Sequence, residues 1–342
     1  MKQASCLAIR AFPGIVLFLG ITTFAQQAAP IKLLKTVTLP GYTGDFDHSA
    51  YDAARGRILI AAEDHKTLEI FDAKTGDHLR TVTGFDVPHS ILLRPGSPTI
   101  LITDGGSSMS KLVDAETYQK KASVPLLIGA DSMGYSPDDH IAYVVTGGDD
   151  QKMDTSQLEA VDPNTGKKLG SVKFDDNHVE SMAVEKGGDR IFINLTAHNS
   201  LAVVNRKSMT IEAIWKITSS HENAMVAMDE QQHRLYVVCR KPGMVVVLDS
   251  DTGKVITTQP APFHADDVML DKGSHRLYVP GVDGFLGIYD TSDRDHLKLT
   301  SKVRTAVGGK TGLLMPEQKK LMIVASAGDT KAIAKVLFYA IQ

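Results

Sequence analysis

The sequence predicts a single seven-bladed β-propeller of four-stranded antiparallel blades, and three observations predict it. Two short phrases recur in register about every 42 residues. Short apolar runs alternate with turn clusters throughout. A lone strand stands ahead of the first repeat with no repeat of its own. The first phrase reads Arg57-Ile-Leu-Ile, Thr99-Ile-Leu-Ile, His140-Ile-Ala-Tyr-Val, Arg190-Ile-Phe-Ile, Arg234-Leu-Tyr-Val, Arg276-Leu-Tyr-Val and Lys320-Leu-Met-Ile. The second keeps its phase: Asp72-Ala-Lys-Thr-Gly, Asp114-Ala-Glu-Thr, Asp162-Pro-Asn-Thr-Gly, Asn205-Arg-Lys-Ser and Asp249-Ser-Asp-Thr-Gly. A period of roughly 40–50 residues built from short strands marks a propeller blade.

Residues 1–25 read as a secretory signal. Lys2 and Arg10 form a basic start, Ala11 to Phe24 is an apolar run too short to span a bilayer, and Thr23-Phe24-Ala25 offers a cleavage site. The domain expected after cleavage is 26–342, periplasmic or secreted, without a membrane anchor. Cleavage removes two basic residues and no acidic one, taking the formal charge from −3 to −5. Nothing in that charge argues for nucleic acid. Cys6 leaves with the signal, so Cys239 stands alone. No internal disulfide or cysteine metal site can form, and Cys239 reads as a small buried hydrophobe.

The first repeat shows the expected blade. His48–Tyr51 is the inner strand, Ile58–Ala62 a strand buried on both faces, Thr67–Asp72 the third and His78–Thr83 the polar outer strand. Lys74-Thr75-Gly76 is a turn, where glycine reaches positive φ without strain. Blade 5 repeats the pattern at Ala224–Met228, Arg234–Cys239, Met244–Asp249 and Lys254–Thr258. Blade 3 carries an extra loop over 147–154. Its Asp149, Asp150 and Asp154 suit either a solvated acidic loop or calcium. Blade 7 ends with its third strand, Ala334–Ala340, and lacks a fourth. The lone strand Ile31–Leu39 is expected to fill that place and close the ring, which also hides two strand edges. A closed ring needs no partner for this, and a monomer is expected.

The phrases Ala142-Tyr-Val-Val-Thr-Gly-Gly, Arg234-Leu-Tyr-Val-Val-Cys-Arg-Lys-Pro-Gly, Met244-Val-Val-Val-Leu-Asp-Ser-Asp-Thr-Gly and Arg276-Leu-Tyr-Val-Pro-Gly resemble the YVTN repeat. The chain is similar to YncE-like secreted bacterial propellers over nearly all of its length after residue 25. That resemblance implies the fold and export, and no substrate. The turn phrase is degraded in blades 2, 4 and 7.

Strand direction alternates within a blade, so residues entering the inner strand share a face with those leaving the second strand. The entering residues are rich in His and carboxylates: Asp47 and His48, His89, Asp131, His178 and Glu180, His221 and Asn223, and His264 with Asp266 and Asp267. The leaving residues add Glu63, Asp104 and Arg240. Ring closure should gather them into a polar funnel at one mouth of the channel. A solvated funnel, a site for a small-molecule or protein ligand, and a metal-dependent enzyme all fit this composition. The binding protein is the leading functional reading, and a metal-dependent hydrolase or lactonase is the alternative. One divalent metal is the cofactor that chemistry would use, with His48, His89 and Asp266 as ligands, His264 as a further imidazole, and Asp47 or Glu180 as further ligand or base. An interaction platform on the outer or bottom rim is a third reading. Arg240-Lys241-Pro242-Gly243 suits an anionic group or a plain loop.

Overall fold

The computed structural model describes residues 30–328 and 330–342. The signal expected over residues 1–25 lies outside the described residues. Among the described residues there are seven four-stranded sheets. Their inner strands are Ser49–Asp52, Pro88–Leu92, Met133–Ser136, Val179–Val184, His221–Asp229, Met269–Asp271 and Thr311–Met315. Six sheets are consecutive meanders. In the seventh, Ile31–Leu39 lies outside Ala334–Ile341, pairing from Ile31 with Ile341 to Leu39 with Ala334. Gly44 and Gly328 add a reciprocal backbone bridge, with N–O distances of 3.1 and 3.0 Å. The first and last described strands therefore share one blade.

The second strands explain why the apolar runs are continuous. In Arg57–Ala62, side chains alternate between the two blade faces. Ile58, Ile60 and Ala62 pack toward blade 7 with Phe46, Met322 and Phe338. Leu59 and Ala61 pack toward blade 2 with Ile100, Ile102 and Val113. The same division recurs at every seam, so the core is seven layers between blades rather than one central mass. Fully burying one such isoleucine stabilises the fold by about 1.5–3 kcal/mol.

The basic residue that opens the first repeat phrase is an inter-blade latch. Arg57 donates to Tyr118 Oη of blade 2 at 3.1 Å. Arg190 reaches Ser250 O of blade 5 at 2.7 Å, and Arg234 reaches Arg294 O and Asp295 of blade 6 at 2.8 and 2.6 Å. Arg276 reaches Gln342 O at 2.9 Å, and Lys320 crosses the closing seam to Ala73 O at 2.8 Å. Where the phrase lacks a cation the seam finds another. Arg94 donates to Pro163 O at 2.9 Å between blades 2 and 3. Arg206 of blade 4 reaches back to Ser136 Oγ at 2.9 Å. The second phrase caps its own turn: Asp72 Oδ1 accepts from the N–H groups of Lys74 and Thr75 at 2.9 and 2.7 Å.

Candidate functional site

The residues that enter the inner strands are fixed by backbone pairing. In blade 1, Asp47 N–H donates to Ala61 O at 2.9 Å, and Ala61 N–H donates to His48 O at 3.1 Å. Blade 3 repeats the pattern, with Asp131 N–H to Val145 O at 3.0 Å and Val145 N–H to Ser132 O at 2.9 Å. In blade 2 the register breaks between Pro88 and Ile91, and His89 sits in that irregularity. Bulges of this kind re-aim side chains. Here they point an imidazole and two carboxylates at one place.

That place is the acidic half of the mouth. His89 Nδ1 lies 2.6 Å from Asp47 Oδ2 and 3.7 Å from Asp131 Oδ1. His48 Nε2 lies 3.6 Å from Asp47 Oδ1, and its Nδ1 lies 3.3 Å from Asp267 Oδ1. Asp267 also accepts from Gly312 N–H at 2.8 Å. Two triads, Asp47–His48–Asp131 and Asp47–Glu63–His89, each bring their ligand atoms within 4.8 Å of one another. Asp47 belongs to both. Four carboxylates (Asp47, Glu63, Asp131, Asp267) meet two imidazoles, an excess of two even with both rings protonated.

The protonation states follow from that imbalance. Burial opposes the charge on Asp47, but His48, His89 and Lys310 together hold its carboxyl below the usual range. Burial also disfavours imidazolium, yet Asp131 and Asp47 outweigh it and raise His89 to about 10. His48 is raised well above its ordinary value by Asp47 and Asp267, again against burial. Glu63 is pushed up to about 7, by burial first, with the Asp47 and Asp131 charges opposing its ionisation and His89 favouring it. Burial likewise lifts Asp131 to about 6 despite His89. These two carboxyls are the ones left without a full counter-charge.

The other half of the mouth is paired. Arg240 Nη1 donates to Glu180 Oε1 at 2.8 Å, and its Nη2 contacts Asp266. Lys310 Nζ reaches Asp266 Oδ2 and Asp45 Oδ2, both at 3.0 Å. His178 Nε2 lies 3.0 Å from Glu180 Oε1. Burial raises Asp266, but Lys310 and Arg240 overcome it and hold its carboxyl low.

Several sequence expectations change at this point. Asp266 is not beside His48 and His89 as a third ligand; two cations occupy its oxygens, and Asp47 takes the shared position. Asp104 turns inward, accepting from Asp86 and Val87 N–H groups and contacting Lys111. It ties down the loop that carries His89. Asn223 is also buried, donating to Asn194 Oδ1 and Ser200 O at 2.7 Å each. His264 has φ 49° and a pKa lowered by burial and by Arg240, and it belongs to neither triad. Lys310 and Asp45 also enter inner strands, and their pairing here is not readable from the sequence. Lys310 has the same phase in blade 7 as Asp47 in blade 1, which was the available signal. Burial pushes the Cys239 thiol up to about 12, so it holds no thiolate at neutral pH.

Below the mouth lies a cavity of about 260 Å³, lined by His48, Ser90, Ser132, Ser181, Met133 and Met182 among others. It puts the acidic half at the top of a space that a small molecule can enter.

No family model matches the chain, and no curated protein matches it. A chain of the solved structure described as "Crystal Structure of Mitotic Checkpoint Complex" superposes with a TM-score of 0.75 at 12% identity, covering 99% of each chain. In all, 1677 solved chains match, so the likeness identifies the fold and singles out no activity.

Proposed function

We propose that this chain is an exported binding protein, a YVTN-repeat, YncE-like propeller, that takes a divalent cation at the acidic half of its mouth and through it a small ligand. The observation that carries the reading is the excess of two half-buried carboxylates over imidazoles around Asp47. A divalent cation supplies that missing charge. Two imidazoles with Asp and Glu oxygens suit zinc or manganese better than calcium, which prefers an all-oxygen shell. The ligand's place is the cavity beneath. The ring works as a monomer outside the cytoplasm.

A second reading, a metal-dependent hydrolase or lactonase, rests on Glu63. Its pKa of about 7 is the value a general base needs at neutral pH. With Asp47, His48 and Asp131 holding the ion, Glu63 is free to accept a proton within 4.8 Å of Asp47.

Metal analysis of protein purified without chelator tests the cation reading. It should find about one zinc or manganese ion per chain, and added zinc at 100-fold its Kd should stabilise the fold by about 2.7 kcal/mol. Absence of a copurifying ion, together with an unchanged melting temperature on adding zinc and manganese, would contradict it. Hydrolysis of lactone or ester substrates lost in Glu63→Gln but with metal retained would select the enzyme.

A further inference from the structure

The insertion in blade 3 builds a second pocket against the acidic half. Its 3-10 turn, Asp149–Gln151, is bound to blade 4 through Asp149 N–H to Asn177 O at 2.8 Å. Gly148 makes this possible. Its φ is 99°, and a Cβ there would stand 3.0 Å from Asn177 O. Under the turn lies a cavity of about 100 Å³, lined by His89, Asp131, Asp149, Asp150, Ser156 and Glu180 among others. It is the place where the repeat departs from its plan and where the departure touches the mouth.

Two features of this cavity call for a ligand. Ser156 is 1% exposed, and its Oγ has no hydrogen-bond partner, although it lines the space. A buried hydroxyl left without a partner is costly, and a bound donor would recover that cost. The lining charges are also unequal. Four carboxylates line the cavity, and its neighbouring cations are already committed: His89 to Asp47, and His178 and Arg240 to Glu180. Asp131 approaches His89 no closer than 3.7 Å.

We propose that this cavity binds the primary ammonium group of an alkylamine, with Ser156 Oγ and the Asp131 carboxylate accepting its N–H groups. A bare metal ion is the poorer fit. Asp149, Asp150 and Glu180 belong to neither group of closely spaced ligand atoms among the described residues. Spaced acceptors suit a cation that carries three divergent N–H donors on a carbon chain. The acceptor Asp131 also lies in one of the cation triads, so the pocket adds a ligand class to the mouth reading and depends on it only through that residue. The amine can come from a free small molecule or from a lysine side chain of a peptide.

Calorimetric titration of the full chain in EDTA separates these sources, using n-butylamine, Nα-acetyl-lysine methylamide and, as neutral control, 1-butanol. Both amines should bind and butanol should not; binding of butylamine alone assigns the site to free amines. Ser156→Ala should weaken amine binding about fivefold or more, and Asp131→Asn further still, with melting temperatures near that of the parent. Asp149→Asn, at an exposed turn, should weaken it without affecting folding. Amines binding no tighter than butanol, or full affinity in Ser156→Ala, would overturn the proposal. Zinc titration of Ser156→Ala keeps the two readings apart. Zinc bound without amine sinks only this site; amine bound without zinc sinks only the cation reading.

Discussion

The two halves of the mouth are built from the same positions in the repeat and are buried alike, yet they are electrostatic opposites. Asp266 and Asp47 each enter an inner strand. Asp266 falls between Arg240 of blade 5 and Lys310 of blade 7 and is fully neutralised. Asp47 falls between two imidazoles with Glu63 and Asp131 crowding in, and burial, reinforced by the neighbouring carboxylates, drives those two carboxyls toward neutrality. The paired half is scaffold: its charges answer one another. The acidic half leaves two of its carboxylates without a counter-charge. Burial alone does not distinguish structure from site here; the count of counter-charges does.

The largest expected effect lies on the paired side. Arg240→Ala strands Glu180 and Asp266 with one cation fewer and should cost about 3 kcal/mol in urea unfolding. A loss below about 1 kcal/mol, the level of a surface pair, would mean that this half is not the scaffold described.

The pH dependence of stability should separate the halves next. Asp131, Glu63 and His89 hold protons more tightly folded than unfolded. Their contribution is full at low pH and drains as pH rises, from 3.8 to about 6, 4.5 to about 7 and 6.5 to about 10 respectively. Asp266 is shifted the other way, and its contribution disappears only as pH falls below the ordinary carboxylate range. Metal-free protein should therefore lose stability between about pH 5 and pH 9, and saturating zinc should reduce that loss. A rising curve without metal would break the comparison.

The smallest effect has the most telling sign. Glu63→Gln removes an unanswered buried charge and should leave metal-free protein unchanged or up to about 1 kcal/mol more stable at neutral pH. Clear destabilisation in thermal melts would show that Glu63 is already paired.

The fold was legible because propeller physics is local and periodic. The seven second strands read as apolar runs, since each is buried on both faces, and Ile31–Leu39 was visible as a strand with nowhere else to pair. The observed inner strand of blade 1 begins at Ser49 rather than His48, because His48 pairs through its carbonyl while its side chain serves the mouth. The latches were half legible. The cation at Arg57, Arg190, Arg234, Arg276 and Lys320 stands in plain register, but its partner lies on the next blade and becomes visible only with ring geometry. The site divided in the same way. Phase alone put Asp47, His48, Glu63, His89 and Asp131 on one face. It could not distinguish them from Asp104 and Asn223, which share the phase but turn into the backbone. Nor could it free Asp266 from Lys310, since that pairing depends on the order of blades around the ring.

Calorimetric titration of metal-free protein with zinc at neutral pH, run in buffers of different ionisation enthalpy, tests the central claim most directly. The account predicts about one ion per chain, with proton release because the imidazole that binds, His48 or His89, must give up its proton. It also predicts loss of binding in Asp47→Ala and retention in Asp266→Asn. Binding that survives Asp47→Ala, or that disappears only with Asp266→Asn, would contradict it.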